Sequence, residues 1–247
     1  MYRAGVSFSI LGHAAWAPGL AAAEEWAAWA AAPAPAPIAH AGEPGVRAMP
    51  PMLRRRLGQL GKMALDVAYT ALGERTGVPT VFCSRHGETA RAIALLDDLA
   101  RGVPLSPTAF GMSVHNANAG LFSIARSDQA NHIALAAGSG TLEHAVIEAC
   151  GLLADGEPAV LLVAADCPLP EAFAPFADRA EQPHAFAWLM AADGGTERLS
   201  LQWAASDAAE DHGGLPGTLD VLRFYAAGAP QLERVAGRRR WRWSRGD

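Results

Sequence analysis

The stretch from Ser106 to Asp166, SPTAFGMSVHNANAGLFSIARSDQANHIALAAGSGTLEHAVIEACGLLADGEPAVLLVAAD, decides the fold. Within it, Ile133 to Ala136 is a short apolar run, Ala137-Gly138-Ser139-Gly140 a turn of small residues, and Thr141 to Leu153 a helical stretch. A second buried strand is predicted at about Ala159 to Ala164. Strand and helix in alternation mean a parallel α/β sheet. A strand–turn–helix joint with glycines on both sides of one serine has the geometry of a nucleophile elbow. The glycines permit the sharp turn, and the helix N-terminus sets its positive end beside residue 139.

Upstream, Val6 to Leu11 reads as the first strand rather than a signal-peptide core, because Ser7, Ser9, Gly12 and His13 interrupt the apolar run. Ala14 to Pro37 is rich in Ala, Trp and Pro, with a short helix expected at about Ala21–Ala31 that PAPAP then stops. Trp16, Trp26 and Trp29 are either part of a surface excursion over the sheet or a contact arm for a partner. Leu53, Leu57, Leu60, Ala64, Val67, Ala68 and Ala71 give Pro50–Leu72 a core-facing helical stripe. Arg54, Arg55, Arg56 and Lys62 at its start are a solvated face or a docking patch for an acidic partner. Thr80–Ser84 is a strand, and the loop to Glu88 opens a helix over Thr89–Ala100, with His86 read as structural.

Downstream, Pro183–Ala192 and Leu199–Ser206 read as two strands joined by an Asp193-Gly194-Gly195 turn, a closing hairpin. Leu219 to Tyr225 is helical. Arg and Trp alternate through residues 240–243, which suggests a final edge strand or a docking tail.

Half of the 247 residues are hydrophobic (51%) and 18% are charged, which supports a sizeable core and excludes global disorder. A net charge of −5 argues against nucleic acid as the main partner. Cys83, Cys150 and Cys167 are few, odd in number and scattered, which fits a reducing cytosol and offers no metal spacing. No uninterrupted apolar run approaches the ~18 residues needed to span a membrane.

PMLRRRLGQLGKMAL, FCSRHGE, LSPTAFGMSVHNANAG, the Ala137–Thr141 turn and RRRWRWSR together resemble the N-terminal half of a β-ketoacyl synthase. More narrowly, they resemble the short β-ketoacyl synthase-like N-terminal domain proteins of aryl-polyene and related pigment clusters, which partner a full ketosynthase. The resemblance implies an α/β, thiolase-like half-fold over residues 1–247: a mainly parallel central sheet of about five strands with helices on both faces. It makes Ile133–Ala136 an edge strand that pairs with a partner across a two-fold.

The same resemblance puts Ser139 where the family carries its cysteine nucleophile. A serine hydroxyl is a far weaker acid than a thiol, and a helix dipole worth at most ~2 kcal/mol cannot ionise it. His184 in QPHAF and His212 in EDHGG lack the family's HGT and GHN settings, and a second thiolase-like half is not expected after Ser139. His144 is expected to point away from the turn. The implied role is a non-catalytic, chain-length-factor-type subunit, with no cofactor beyond acyl groups on the phosphopantetheine of a carrier protein. The implied partners are a catalytic ketosynthase and an acyl carrier protein, with a homodimer when the partner is absent. Ser113, His115, Asn116, Ala137, Gly138, Ser139 and His144 are acyl-pocket or interface candidates; the first three are equally buried hydrogen-bonders. Arg54, Arg55, Arg56 and Lys62 become candidates for carrier docking. Two other classes stay open: a serine hydrolase using Ser139, Asp166 and His212, and an interaction subunit that binds no acyl chain.

Overall fold

The structure is a computed structural model that describes residues 2, 4–39, 41–195, 197–210 and 214–246. β1 (Ala4–Trp16) is followed by α1 (Ala23–Ala31), the single turn α2 (Pro51–Arg54) and α3 (Gln59–Leu72). Next, β2 (Thr80–Cys83), α4 (Thr89–Ala100), α5 (Pro107–Gly111) and α6 (Ala117–Arg126) lead to β3 (His132–Leu135). The chain continues through α7 (Thr141–Ala154), β4 (Val160–Asp166), β5 (His184–Ala191), β6 (Glu197–Ala205), α8 (Gly217–Ala226), β7 (Gln231–Ala236) and β8 (Arg239–Arg245). The eight strands form one sheet in the order β3-β2-β4-β5-β1-β6-β8-β7.

Every residue of β4 and β5 is buried; the period of two sends alternate side chains to opposite faces, and in β5 it puts the bulkier ones on one face. Phe186, Trp188 and Met190 join Val160, Leu162 and Ala164 on the face covered by α1, α7 and α8. Ala185, Ala187 and Leu189 join Leu161, Val163 and Ala165 on the face covered by α3 and α6. Small residues on that second face let α3 lie close to the strands. A Cβ at Gly12 would fall 2.8 Å from the Ala71 carbonyl oxygen, so β1 needs glycine where α3 crosses it.

The α/β class and the helices on both faces are as the sequence suggests; the sheet is larger and mostly antiparallel. Only β2–β3 and β2–β4 are parallel, whereas β4–β5, β5–β1, β1–β6, β6–β8 and β8–β7 are antiparallel. β5 and β6 are not a hairpin, because β1 lies between them. The loop joining them passes over β1, and a Cβ at Gly195 would fall 2.4 Å from the Ile10 carbonyl oxygen. The glycines read as a hairpin turn are there for that crossing.

Two further expectations change, and one open alternative narrows. The helix over Pro50–Leu72 is two helices, broken at Gly58, whose backbone is extended at ψ −176°. Of the two readings of the Trp-rich segment, the excursion over the sheet is the one that burial favours: Trp26 and Trp29 are 3% and 8% exposed, meet edge to face at 5.5 Å and make α1 a lid on the core. β8 is not the last edge, since β7 pairs outside it through a turn at Gly237 and Arg238, both with positive φ. β3 does lie at an edge.

Trp188 is fully buried among the rings of Phe8, Phe186, Tyr225 and Trp243. Trp188→Ala is expected to lower the unfolding free energy by about 3–5 kcal/mol in urea titration; a loss below ~1 kcal/mol would contradict this packing. The His13 ring on β1 lies tilted against Tyr225 at 4.6 Å, and burial lowers its pKa from 6.5 to about 4. The unfolded chain takes up this proton near 6.5 and the folded protein only near 4. Stability is therefore complete above that window and falls as the pH drops through it, by up to about 3 kcal/mol. Melts at stepped pH should show a decline that is shallower in His13→Gln.

Candidate functional site

Ser139 sits in a single 3₁₀ turn, Gly138–Gly140, between edge strand β3 and α7. Gly138 has φ +58°, the left-handed value that lets the chain reverse. Thr141 staples the turn: its Oγ1 accepts from the Ala137 amide at 2.9 Å and donates to the Gly138 carbonyl at 2.7 Å. His144 does not point away. Its Nδ1 donates to the Gly140 carbonyl at 2.8 Å, one helical turn back, and its ring packs edge-on to Trp241 at 5.3 Å.

The far end of the chain closes over this turn. Ser139 Oγ donates to Glu210 Oε1 at 3.0 Å, and the Gly237 amide donates to the same oxygen at 2.8 Å. Arg234, on β7, donates through Nη2 to the Ser139 carbonyl at 3.0 Å and through Nη1 to Glu143 Oε1 at 2.5 Å. Trp243 Nε1 donates to the same Glu143 oxygen at 3.3 Å, and Glu143 is 0% exposed. Burial acts to raise the Glu210 pKa. The Gly237 amide, the Ser139 hydroxyl and the guanidinium groups of Arg179 and Arg234 outweigh it and hold the carboxyl below its ordinary value. Among the described residues, the serine thus meets a carboxylate and no imidazole.

Asp166, at the C-terminal end of β4, lines one small crevice with Ser139, Gly138, Arg85 and Thr218. It is not bonded to Ser139. Its Oδ1 accepts from Ser84 Oγ at 2.9 Å and from the Arg85 amide at 2.7 Å, and its Oδ2 accepts from Thr218 Oγ1 at 3.2 Å. His184 reaches the same Thr218 oxygen through Nε2 at 2.8 Å. Burial raises the Asp166 pKa, opposed by His184. His212, the base of the hydrolase reading, lies outside the described residues. No thiol replaces the serine hydroxyl: burial pushes Cys150 and Cys167 up to about 12 and Cys83 well above its usual range.

A second cavity opens under β2, between α3 and α6, and is lined by Leu60, Phe82, Glu88, His115, Asn118 and Val163, among others. Of the three polar candidates, only His115 belongs to it; its Nε2 bonds the Leu135 carbonyl at 3.0 Å. Ser113 turns back to the Phe110 carbonyl at 2.8 Å, and Asn116 is exposed at the start of α6. The buried pair Glu88–Asn118, Nδ2 donating to Oε1 at 3.0 Å, escaped the sequence reading. Asn118 stands two positions beyond Asn116 among turn formers, and only the helical register tells which of the two faces inward. Beside this cavity, a groove of about 550 Å³ shares Leu60, Gly87 and Glu88 with it.

The basic cluster is divided. Arg54 donates to the Gly45 and Val46 carbonyls at 3.0 and 3.4 Å, and Lys62 pairs with Glu43. Arg55 and Arg56 are exposed, with no ion pair from either side chain among the described residues. Among these residues no group of three or more His, Cys, Asp or Glu could hold a metal ion, and no helix is long and apolar enough to cross a membrane.

Among curated proteins none matches the chain in sequence. The structure of the ketosynthase ApeO in complex with its chain length factor ApeC, from Xenorhabdus doucetiae, contains a similar chain. It is 29% identical at a TM-score of 0.84, over 97% of this chain and 100% of that one. The ishigamide ketosynthase/chain length factor shares the fold at 17% identity and a TM-score of 0.65, over 90% of this chain and 74% of that one. So does AntDE:AntF, a type II polyketide synthase acyl-carrier protein in complex with its ketosynthase bound to the hexaketide. There the identity is 9% and the TM-score 0.67, over 96% and 99% of the two chains. The family description "Beta-ketoacyl synthase, N-terminal domain" matches residues 26–244, and the chain belongs to that family.

Proposed function

We propose that this chain is a non-catalytic, chain-length-factor-type subunit that pairs with a catalytic β-ketoacyl synthase in aryl-polyene or related chain elongation. One observation carries the reading. The turn that presents a nucleophile in a condensing enzyme here presents a serine, whose hydroxyl is held by Glu210 and whose carbonyl is held by Arg234. Neither thiol nor imidazole stands at that hydroxyl among the described residues, and a carboxylate acceptor does not make a serine as nucleophilic as a thiolate.

Three features support the partnership. Among the described residues β3 has no strand on its outer side at the sheet edge, a position that invites another chain. Near it in sequence, Leu96, Leu99, Phe110, Val114 and Ile124 are exposed large apolar side chains on or beside α4, α5 and α6. The chain in the ApeO–ApeC complex aligns with this one over the full length of the former. In this reading β3 and the apolar side chains meet the catalytic subunit, or a second copy when that subunit is absent. The acyl chain, carried on phosphopantetheine, runs past the small residues Ala134, Ala137 and Gly138 and the cavity at His115. Arg55 and Arg56 stay free to meet an acidic carrier protein. Three unpaired thiols suit a cytoplasmic setting.

Two outcomes test the role. Incubated alone with acyl- and malonyl-loaded carrier protein, the chain is expected to give no condensation product, and Ser139→Cys to gain none. Co-expressed with a catalytic ketosynthase, it should elute as a heterodimer and alter product length. Failure to co-elute together with unchanged products, or activity in Ser139→Cys, defeats the proposal. Ester hydrolysis by the wild type that Ser139→Ala abolishes would favour the hydrolase instead. The thiols give an independent check: with a pKa of about 12, Cys167 should react with iodoacetamide at pH 8 about two to three orders of magnitude more slowly than free cysteine. Rapid labelling would show an activated thiol that this reading lacks.

A further inference from the structure

β1 pairs with β6 only from Ala4 to Ile10, while its Gly12–Trp16 half pairs with β5 alone. The side of that half turned away from β5 has no strand against it among the described residues. A groove of about 560 Å³ runs there, lined by the consecutive residues His13 to Trp16. Alternate side chains of a strand point to opposite faces, so four successive lining residues mean that the groove follows the strand edge. The opposite walls bring Trp26 from α1, Asp66 from α3, Tyr225 from α8 and Glu197 at the start of β6. None of these residues lines the crevice at Ser139 or the cavity at Glu88.

The chemistry of the lining selects a ligand class. Its side walls are aromatic: two indoles, a phenol and the His13 imidazole, which burial keeps neutral at pH 7. Glu197 already pairs with Arg245. Asp66 has no ion pair among the described residues; one of its oxygens, Oδ1, accepts from the Val46 amide at 3.1 Å. Arg54, which reaches the same wall, donates to the Gly45 and Val46 carbonyls. Trp26 is 3% exposed, and its indole N–H finds no acceptor among the described residues. Aromatic residues around one carboxylate that has no ion pair among the described residues favour a cation over an anion, and the volume suits a small molecule.

We propose that this groove is a binding site for a small organic amine, with the ammonium on Asp66 and its apolar body against the half-buried rings of Trp16 and Tyr225. The groove shares no lining residue with the crevice at Ser139, and none of its lining residues is among those assigned above to the partner subunit or the carrier protein. Its test therefore succeeds or fails independently of the reading above.

Phenethylamine is the probe, followed by calorimetry and tryptophan fluorescence on the full chain. Saturable binding is expected, at least tenfold weaker for 2-phenylethanol and absent for phenylacetate, which share the ring and differ in charge. Asp66→Asn keeps an oxygen for the Val46 amide and should weaken amine binding at least tenfold, with an unchanged circular dichroism spectrum. If that variant unfolds, Trp16→Leu supplies the second arm and should weaken binding by a similar factor. No saturation at millimolar amine overturns the proposal. So does equal binding of the alcohol, or full affinity in a folded Asp66→Asn.

Discussion

The ion pair between Glu143 and Arg234 is the contact on which the site depends. Its carboxylate is wholly buried in the first turn of α7, and its guanidinium comes from β7, ninety-one residues later. Burial opposes the charge on Arg234, and the surrounding carboxylates of Glu143, Asp220 and Glu210 more than offset it. Such a pair adds little net stability compared with apolar packing, but removing one partner strands the other and costs about 3–5 kcal/mol. Its value here is positional. Because the same guanidinium also holds the Ser139 carbonyl, the turn is fixed by the hairpin at the far end of the sheet. The indole of Trp243 completes the arrangement from β8.

That hairpin is in turn fixed by the sheet. Trp241 and Trp243 face the cluster that contains Trp188, Phe186 and Phe8, so the large rings of three strands fill the layer beneath α7 and α8. On the opposite face, alanines on β5 and α3 shorten the gap between helix and strand. The turn lies on the ring side, the His115 cavity on the methyl side. Both open near the ends of β2, β3 and β4.

What the sequence discloses and what it withholds divide along contact range. The strand–turn–helix–strand unit through Ser139 is local, and its boundaries are legible to within one or two residues because glycine, Thr141 and the apolar runs mark them. The helix Thr89–Ala100 is legible for the same reason. Sheet order is not, since nothing near Val6 announces that β1 will separate β5 from β6. The Asp-Gly-Gly loop looks like a hairpin turn until Gly195 is seen pressed on Ile10. The partners of Ser139, Glu210 and Arg234, stand 71 and 95 residues away, beyond any spacing rule. β7 was missed because its turn, Gly237-Arg238, carries an arginine where asparagine would have signalled it.

The place of β1 has a consequence for how the chain reaches its native form. It leaves the ribosome before every other strand described here, and both of its neighbours, β5 and β6, are made more than 160 residues later. Until then, a thirteen-residue strand carrying Val6, Phe8 and Ile10 has nothing to pair with. Contacts of such long range slow folding, and an orphan strand is prone to associate with other nascent chains. Production of this protein should therefore depend more on chaperone supply and growth temperature than its well-filled interior suggests.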